Sequence, residues 1–185
     1  MKRPVVFLDR DGVLTVENLR ITHPDETQIF DYAKDCVSRI HELGYLAIVV
    51  TNQEGVAKGL FTIEELESLN KRIIEETGVD DIFFCPHHPE GSVREYTYDC
   101  DCRKPKTGLI RQAAEKYDVD LSGSYLVGDR AGDILTGKKA GIKTVLVDSG
   151  YGRARLEQEV EADYYCADLR DFVFKILTDQ TGENK

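Results

Sequence analysis

No stretch of this chain is apolar for long enough to cross a bilayer; the longest run, around residues 45–50, has the length of a strand. Met1-Lys2-Arg3-Pro4 leads into a strand pattern with no signal-peptide apolar region behind it, so the expected location is cytoplasmic, with no membrane partner. Positive charge is short as well: 24 Lys and Arg against 34 Asp and Glu leave a formal net charge of -10. A general nucleic-acid binder needs a basic face, so nucleic acid is excluded as a partner. Five cysteines, an odd number in a reducing compartment, do not make a disulfide framework. Repeats and low-complexity segments are also lacking. What remains, 185 residues of which 41% are hydrophobic and 31% charged, suits one soluble domain with a sizeable core, expected to be monomeric.

Apolar strand patterns fall at residues 5–9, 46–51, 82–84, 124–127 and 144–147, with a weaker one at 163–166. Helical spacing links them at 32–43, 107–117, 132–140 and 169–177, and Thr62 with Glu65 forms a capping-box pattern that opens a helix running to residue 77. Short apolar strands alternating with helices predict an α/β Rossmann-like three-layer sandwich with a mostly parallel sheet. The domain is expected over residues 1–178, followed by a polar tail at 179–185. The loops at 12–31 and 85–106 are long for this architecture, which points to function.

Chemistry gathers at the strand ends. Val5-Val6-Phe7-Leu8 runs into Asp9-Arg10-Asp11-Gly12, two carboxylates that suggest a nucleophile and a proton-transfer group two residues apart. The bland reading is an aspartate-rich turn. Thr51 and Asn52 end the second strand, where a hydroxyl and backbone N–H groups can meet an anion. Asp129 ends the strand Leu126-Val127-Gly128 and suits a hard cation. Asp133 either caps the next helix or orients a metal's waters. Arg103-Lys104-Pro105-Lys106 is a basic cluster in which Lys104 suits charge on a transferring phosphoryl group and Arg103 a second anionic or hydroxyl-rich part of a substrate.

Asp9-x-Asp11-Gly, Thr51-Asn52, Lys104-Pro and Gly128-Asp129-x-x-x-Asp133, in that order, resemble the haloacid-dehalogenase-like phosphohydrolases over nearly the whole chain. The resemblance implies that Asp9 attacks phosphorus to form an aspartyl-phosphate. It implies that Asp11 protonates the leaving oxygen and then deprotonates the hydrolytic water. Magnesium would be held by the carboxylates of Asp9 and Asp129 and the backbone carbonyl of Asp11, with Thr51 and Lys104 on the phosphoryl group. A proton donor that starts neutral asks for a raised pKa on Asp11 but not on Asp9.

Cys85-Pro-His87-His88 and Cys100-Asp-Cys102 offer three thiolates and an imidazole, the donor set of a closed structural zinc site over the loop 85–102. The alternatives are reactive thiols or casual buried cysteines, with His88 either a substitute ligand or a loop surface residue. This insert and the stretch 51–62 resemble the D-glycero-D-manno-heptose 1,7-bisphosphate 7-phosphatase family; the related histidinol-phosphate phosphatases share the zinc loop in outline. That family commonly carries a Gly-Tyr pair where this chain has Val16-Glu17-Asn18-Leu19-Arg20-Ile21-Thr22, so the sugar and its anomer stay open. The spacing leaves no room for a large cap domain, and short loops are expected to select a small phosphorylated sugar. Candidate substrate-binding residues are Glu17, Arg20, Asn52, Gln53, Glu54, Arg103 and Arg130. A phosphate-binding module without turnover is the alternative of another class; a zinc-finger-like nucleic-acid adaptor conflicts with the acidic balance.

Overall fold

The computed structural model describes residues 2–17 and 26–182. Every predicted strand forms: β1 (Val5–Leu8), β2 (Leu46–Asn52), β3 (Asp81–Cys85), β4 (Tyr125–Gly128), β5 (Lys143–Val147) and β6 (Tyr164–Cys166). They build one parallel sheet in the order β3-β2-β1-β4-β5-β6. Alternation along β1 sends Val6 and Leu8 to one core and Val5 and Phe7 to the other, so both sheet faces are covered. The first core closes on α1 (Ala33–Glu42), α2 (Ile63–Thr77) and the C-terminal helical run, and the second on α3 (Gly108–Tyr117). α4 (Ala131–Ala140) packs on β4 and β5.

Helix boundaries follow local chemistry. Thr62 Oγ1 accepts from the Glu65 N–H at 3.2 Å, and the Glu65 carboxylate accepts from the Thr62 N–H at 2.7 Å. At the other end of α2, Gly78 takes φ +82°, a left-handed stop that costs glycine little. The last helix differs from expectation. Helix α5 (Leu169–Asp171) passes through a π-helical segment (Phe172–Leu177) into α6 (Thr178–Thr181), four residues beyond the predicted end. Thr178 is buried and its hydroxyl donates to the Val173 carbonyl at 2.9 Å, so the helix runs on through the expected end of the domain into the first residues of the polar tail.

Because β1 pairs with both β2 and β4, the three strand tips that carry Asp9, Thr51 and Asp129 are neighbours. The strand order reverses direction about β1, and open α/β sheets place ligands at such a point. The long loop at 85–106 lies back on the loop after β2: the Ser92 and Val93 N–H groups donate to the Ala57 carbonyl at 2.8 and 2.9 Å. Among the described residues no second folded unit covers the tips, and no helix is long and apolar enough to cross a membrane.

The reciprocal cap on α2 gives a stability prediction. Thr62→Ala should lower the unfolding free energy by about 1 kcal/mol and the melting midpoint by about 2–4 °C, measured by calorimetry. An unchanged midpoint would show that the cap contributes nothing.

Candidate active site

The strand tips open into a cleft of about 470 Å³, lined by the segments after β1, β2 and β4 and by Arg103 and Lys104. At its floor, Asp9 continues β1, its N–H donating to the Val127 carbonyl at 2.9 Å. Asp129 is fully buried; its Oδ2 accepts from the Tyr151 N–H at 2.7 Å, while its Oδ1 has no hydrogen-bond partner among the described residues. Two glycines make this possible. A Cβ on Gly12 or Gly150 would sit 2.4 or 2.1 Å from Asp129 Oδ2, inside any allowed contact. Gly12 also holds φ +82°. An orphaned buried carboxylate oxygen, with Asp9 and Asp133 oxygens within 4.8 Å, is a donor set suited to magnesium.

Lys104 supplies a buried cation beside these carboxylates. Its ammonium donates to Asp133 Oδ1 at 2.6 Å and the Val50 carbonyl at 2.8 Å, and lies 3.0 Å from Asp9 Oδ1. Burial would lower its pKa, but Asp133 and Asp9 outweigh burial and raise it, so Lys104 stays charged. Asn52, expected on the substrate, instead brackets the lysine backbone: its amide donates to the Lys104 carbonyl at 3.1 Å and accepts from the Lys104 N–H at 3.0 Å. Asp133 takes the first of its two readings, the helix cap, and adds a bond to Lys104. Its Oδ2 accepts from the Arg130 N–H at 3.1 Å at the start of α4 while Oδ1 holds Lys104, and Gly128 gives it room.

Asp11 reverses one expectation. Arg10 clasps it with Nε to Oδ1 and Nη2 to Oδ2, both at 3.0 Å; Thr15 Oγ1 adds 2.9 Å and Gln53 Nε2 2.8 Å. Burial alone would raise its pKa, but Arg10, Gln53 and Thr15 hold it below the ordinary value. Asp9, by contrast, is pushed up to about 7 by burial and Asp133, with Lys104 opposing, and Asp129 to about 8 by burial, Asp9 and Asp133. The raised value predicted for Asp11 therefore belongs to Asp9: the Arg10 guanidinium folds over Asp11, while burial and Asp133 act on Asp9. Gln53 is buried and fully engaged with Asp11, Arg10 and Thr51, at 2.8, 2.7 and 3.0 Å.

On one rim Glu54 pairs with the cations Lys58 and Arg103, and His88 Nε2 lies 3.5 Å from its carboxylate. On the other, Arg130 reaches Glu17 at 3.2 Å and Glu157 at 3.6 Å and stacks 3.7 Å from the Tyr151 ring centroid. Arg20 lies outside the described residues. Five cations and six carboxylates line the cleft, with Asp129 at its base, so its basic residues alone do not reverse the chain's sign.

Cys85, His87, Cys100 and Cys102 converge as predicted, with Sγ–Sγ distances of 3.4 and 3.3 Å and His87 Nδ1 3.3 Å from Cys102 Sγ. Those separations are far beyond a disulfide bond, and the four donors lie within 4.8 Å of one another, so they could hold a metal. Tyr98 Oη fixes the far ring nitrogen of His87 at 2.7 Å, whereas His88 accepts from the Glu90 N–H and stays outside the cluster. Sequence reasoning missed Arg10, Tyr98, Gly150 and Tyr151. Only the Arg10 position, between two flagged aspartates, carried a signal.

A family model, HAD-hydrolase-like, matches residues 101–172. A D-glycero-beta-D-manno-heptose-1,7-bisphosphate 7-phosphatase of Yersinia pestis is 39% identical over 174 residues, 91% of this chain and 92% of the relative. The alpha-named enzyme of Photorhabdus laumondii is 42% identical over 159 residues, 81% and 85% of the two chains. Among solved structures, D,D-heptose 1,7-bisphosphate phosphatase from B. bronchiseptica, complexed with magnesium and phosphate, superposes with a TM-score of 0.81 at 34% identity, covering 97% of this chain and 99% of that one. Relatives this similar over nearly their whole length, on the same fold, place the chain: it belongs to the heptose-1,7-bisphosphate 7-phosphatase family of haloacid-dehalogenase-like hydrolases.

Proposed function

We propose that this phosphomonoesterase removes the 7-phosphate of D-glycero-D-manno-heptose 1,7-bisphosphate in the cytoplasm, through an aspartyl-phosphate on Asp9. The observation that carries the chemistry is the meeting of Asp9, Lys104 and Asp129 at adjacent strand tips, with Asp11 one turn away. The names of the relatives support the substrate and divide between the beta and alpha anomers, so both anomers belong in the assay.

In the first half-reaction Asp9 attacks phosphorus, the bond from phosphorus to the sugar oxygen breaks, and Asp11 gives its proton to that oxygen. In the second, water attacks the aspartyl-phosphate and passes a proton to Asp11, and the bond from phosphorus to Asp9 breaks, releasing phosphate. Thr51 and Lys104 hold the phosphoryl oxygens, and Lys104 meets the charge that builds on them. Asp9, Asp129 and the Asp11 carbonyl would hold magnesium, which when bound offsets the repulsion between attacking carboxylate and phosphate. Arg103 meets the second phosphate, while Glu17, Glu54 and Arg130 line the cleft where the sugar sits. Zinc would occupy Cys85, His87, Cys100 and Cys102: with four protein donors and no open position it folds the loop and takes no part in hydrolysis.

The deciding assay measures phosphate release from heptose 1,7-bisphosphate and from histidinol phosphate, with and without magnesium. Faster release from the heptose, dependent on magnesium, is expected; no release from any phosphomonoester would sink the reading. Asp9→Asn should lose roughly 10⁴-fold or more in kcat while melting normally.

Magnesium binding should depend on pH in a defined direction. Asp9 and Asp129 titrate at about 7 and about 8 when folded against an ordinary 3.8, so the metal-free protein holds extra protons over that interval and loses stability as pH rises through it. Ionised carboxylates are the ligands, so magnesium recovers more of that loss at high pH. The magnesium-induced rise in melting temperature should therefore be larger at pH 8 than at pH 6; an equal or smaller rise rules out Asp9 and Asp129 as the site.

For zinc, elemental analysis of the purified protein should give about one zinc per chain, and its removal by a chelator should lower the melting temperature while magnesium is kept in excess. Absence of zinc, or a melting point indifferent to the chelator, would refute the assignment.

A further inference from the structure

Arg10 sits between the two reacting aspartates, is 4% exposed, and makes no ion pair with Asp9. Two of its nitrogens grip Asp11 as a two-point fork with both bonds at 3.0 Å, while its buried Nη1 has no hydrogen-bond partner among the described residues. The same Nη2 donates to Gln53 Oε1 at 2.7 Å, and Gln53 Nε2 returns to Asp11 Oδ2 at 2.8 Å, closing a ring of three side chains. Thr15 holds the other oxygen at 2.9 Å. A carboxylate offers about four lone-pair directions, and here four donors take them, so Asp11 carries its proton only when the Thr15 hydroxyl turns away to the Arg10 carbonyl, 3.3 Å off. The backbone supports the same geometry, since the Arg10 carbonyl accepts from the N–H groups of Leu14 and Thr15 at 2.9 and 3.0 Å and so fixes the turn that carries Asp11. A planar fork fixes the plane of the carboxylate it grips, which a point charge such as lysine's does not.

We propose that Arg10 is a positioning residue, which together with Gln53 sets the plane and rotamer of Asp11 and acts on the reaction only through it. The inference rests on the reading of Asp11 as the group that hands its proton to the leaving oxygen. Gln53 carries a second consequence. Its amide bridges Asp11 and Thr51, so the side chain that meets the phosphoryl group and the one that moves the proton share one hydrogen-bonded amide.

The test is a double-mutant cycle on the magnesium-loaded protein with the sugar bisphosphate, using Arg10→Lys, Arg10→Ala, Asp11→Asn and Arg10→Ala/Asp11→Asn. Each variant is first checked for cooperative melting, and Arg10→Lys serves if the alanine variant does not fold. Arg10→Ala should lose about 10²-fold in kcat, the cost of a misplaced catalytic group, with KM changed by less than about threefold. The double variant should be as slow as Asp11→Asn alone, within about threefold, because orienting an absent carboxylate adds nothing. Single-turnover phosphorylation by 4-nitrophenyl phosphate, whose leaving group departs without a proton, should suffer at least about tenfold less than phosphorylation by the sugar phosphate. Losses that multiply in the double variant overturn the proposal, as does a raised KM at unchanged kcat, which would make Arg10 a substrate ligand. Full activity in Arg10→Lys overturns it too, since charge without the fork would then suffice. Native turnover in Asp11→Asn overturns the reading of Asp11 itself, and this inference with it.

Discussion

A single buried ammonium organises this molecule. Lys104 Nζ stands between Asp9 and Asp133 with the Val50 carbonyl behind it, and removing the lysine would leave two buried acids facing each other with no cation between them. The constraint spreads outward along the chain. Asn52 clamps the lysine backbone from the tip of β2, Gly128 makes space for Asp133, and Asp133 ties the lysine to the first turn of α4. Two residues before Lys104 comes Cys102, the last donor of the cysteine–histidine knot, and Arg103 between them donates to the His87 carbonyl. The knot and the floor of the cleft are thus consecutive in sequence.

The cleft is acidic despite the anionic substrate class of its relatives. Each of its cations already faces a carboxylate, Arg10 with Asp11, Lys58 and Arg103 with Glu54, and Arg130 with Glu17. A phosphate arriving there competes with protein carboxylates for every cation, and the orphaned oxygen of Asp129 shows where an extra positive charge is wanted. The two rims differ in kind. Glu54 gathers cations beside β2, whereas Arg130 stacks on Tyr151 and is bracketed by glutamates, so a substrate with one charged end and one hydroxyl-rich end meets an asymmetric pair of walls.

Much of this was legible in the amino-acid order. Apolar runs of strand length, each ending in Asp, Thr or Gly-Asp, named the floor of the site, and the Cys-x-His and Cys-x-Cys pairs named the knot, because such residues have few other uses at those places. The capping box at Thr62 was readable for the same reason: its chemistry is local. What could not be read is partnership across the chain. Nothing in the order Asp9-Arg10-Asp11 says that the arginine turns to Asp11, which inverts the expected pKa pattern, or that Asn52 spends its amide on a backbone 52 residues away. Nor could the Gly150-Tyr151 pair be assigned a role, since its contact with Asp129 depends on how the loop after β5 crosses the strand tips.

That crossing binds two loops into one evolutionary unit. Gly12 and Gly150 meet backbone to backbone around Asp129, with the Gly150 Cα only 3.0 Å from where a side chain on Gly12 would begin and Ser149 Oγ bonded to the Gly12 carbonyl at 2.6 Å. Neither loop can accept a side chain, an insertion or a shifted turn at that point unless the other moves with it. A lineage that changes its sugar must do so farther out along these loops, and a combinatorial library built over this site would waste most of its members if it varied either glycine.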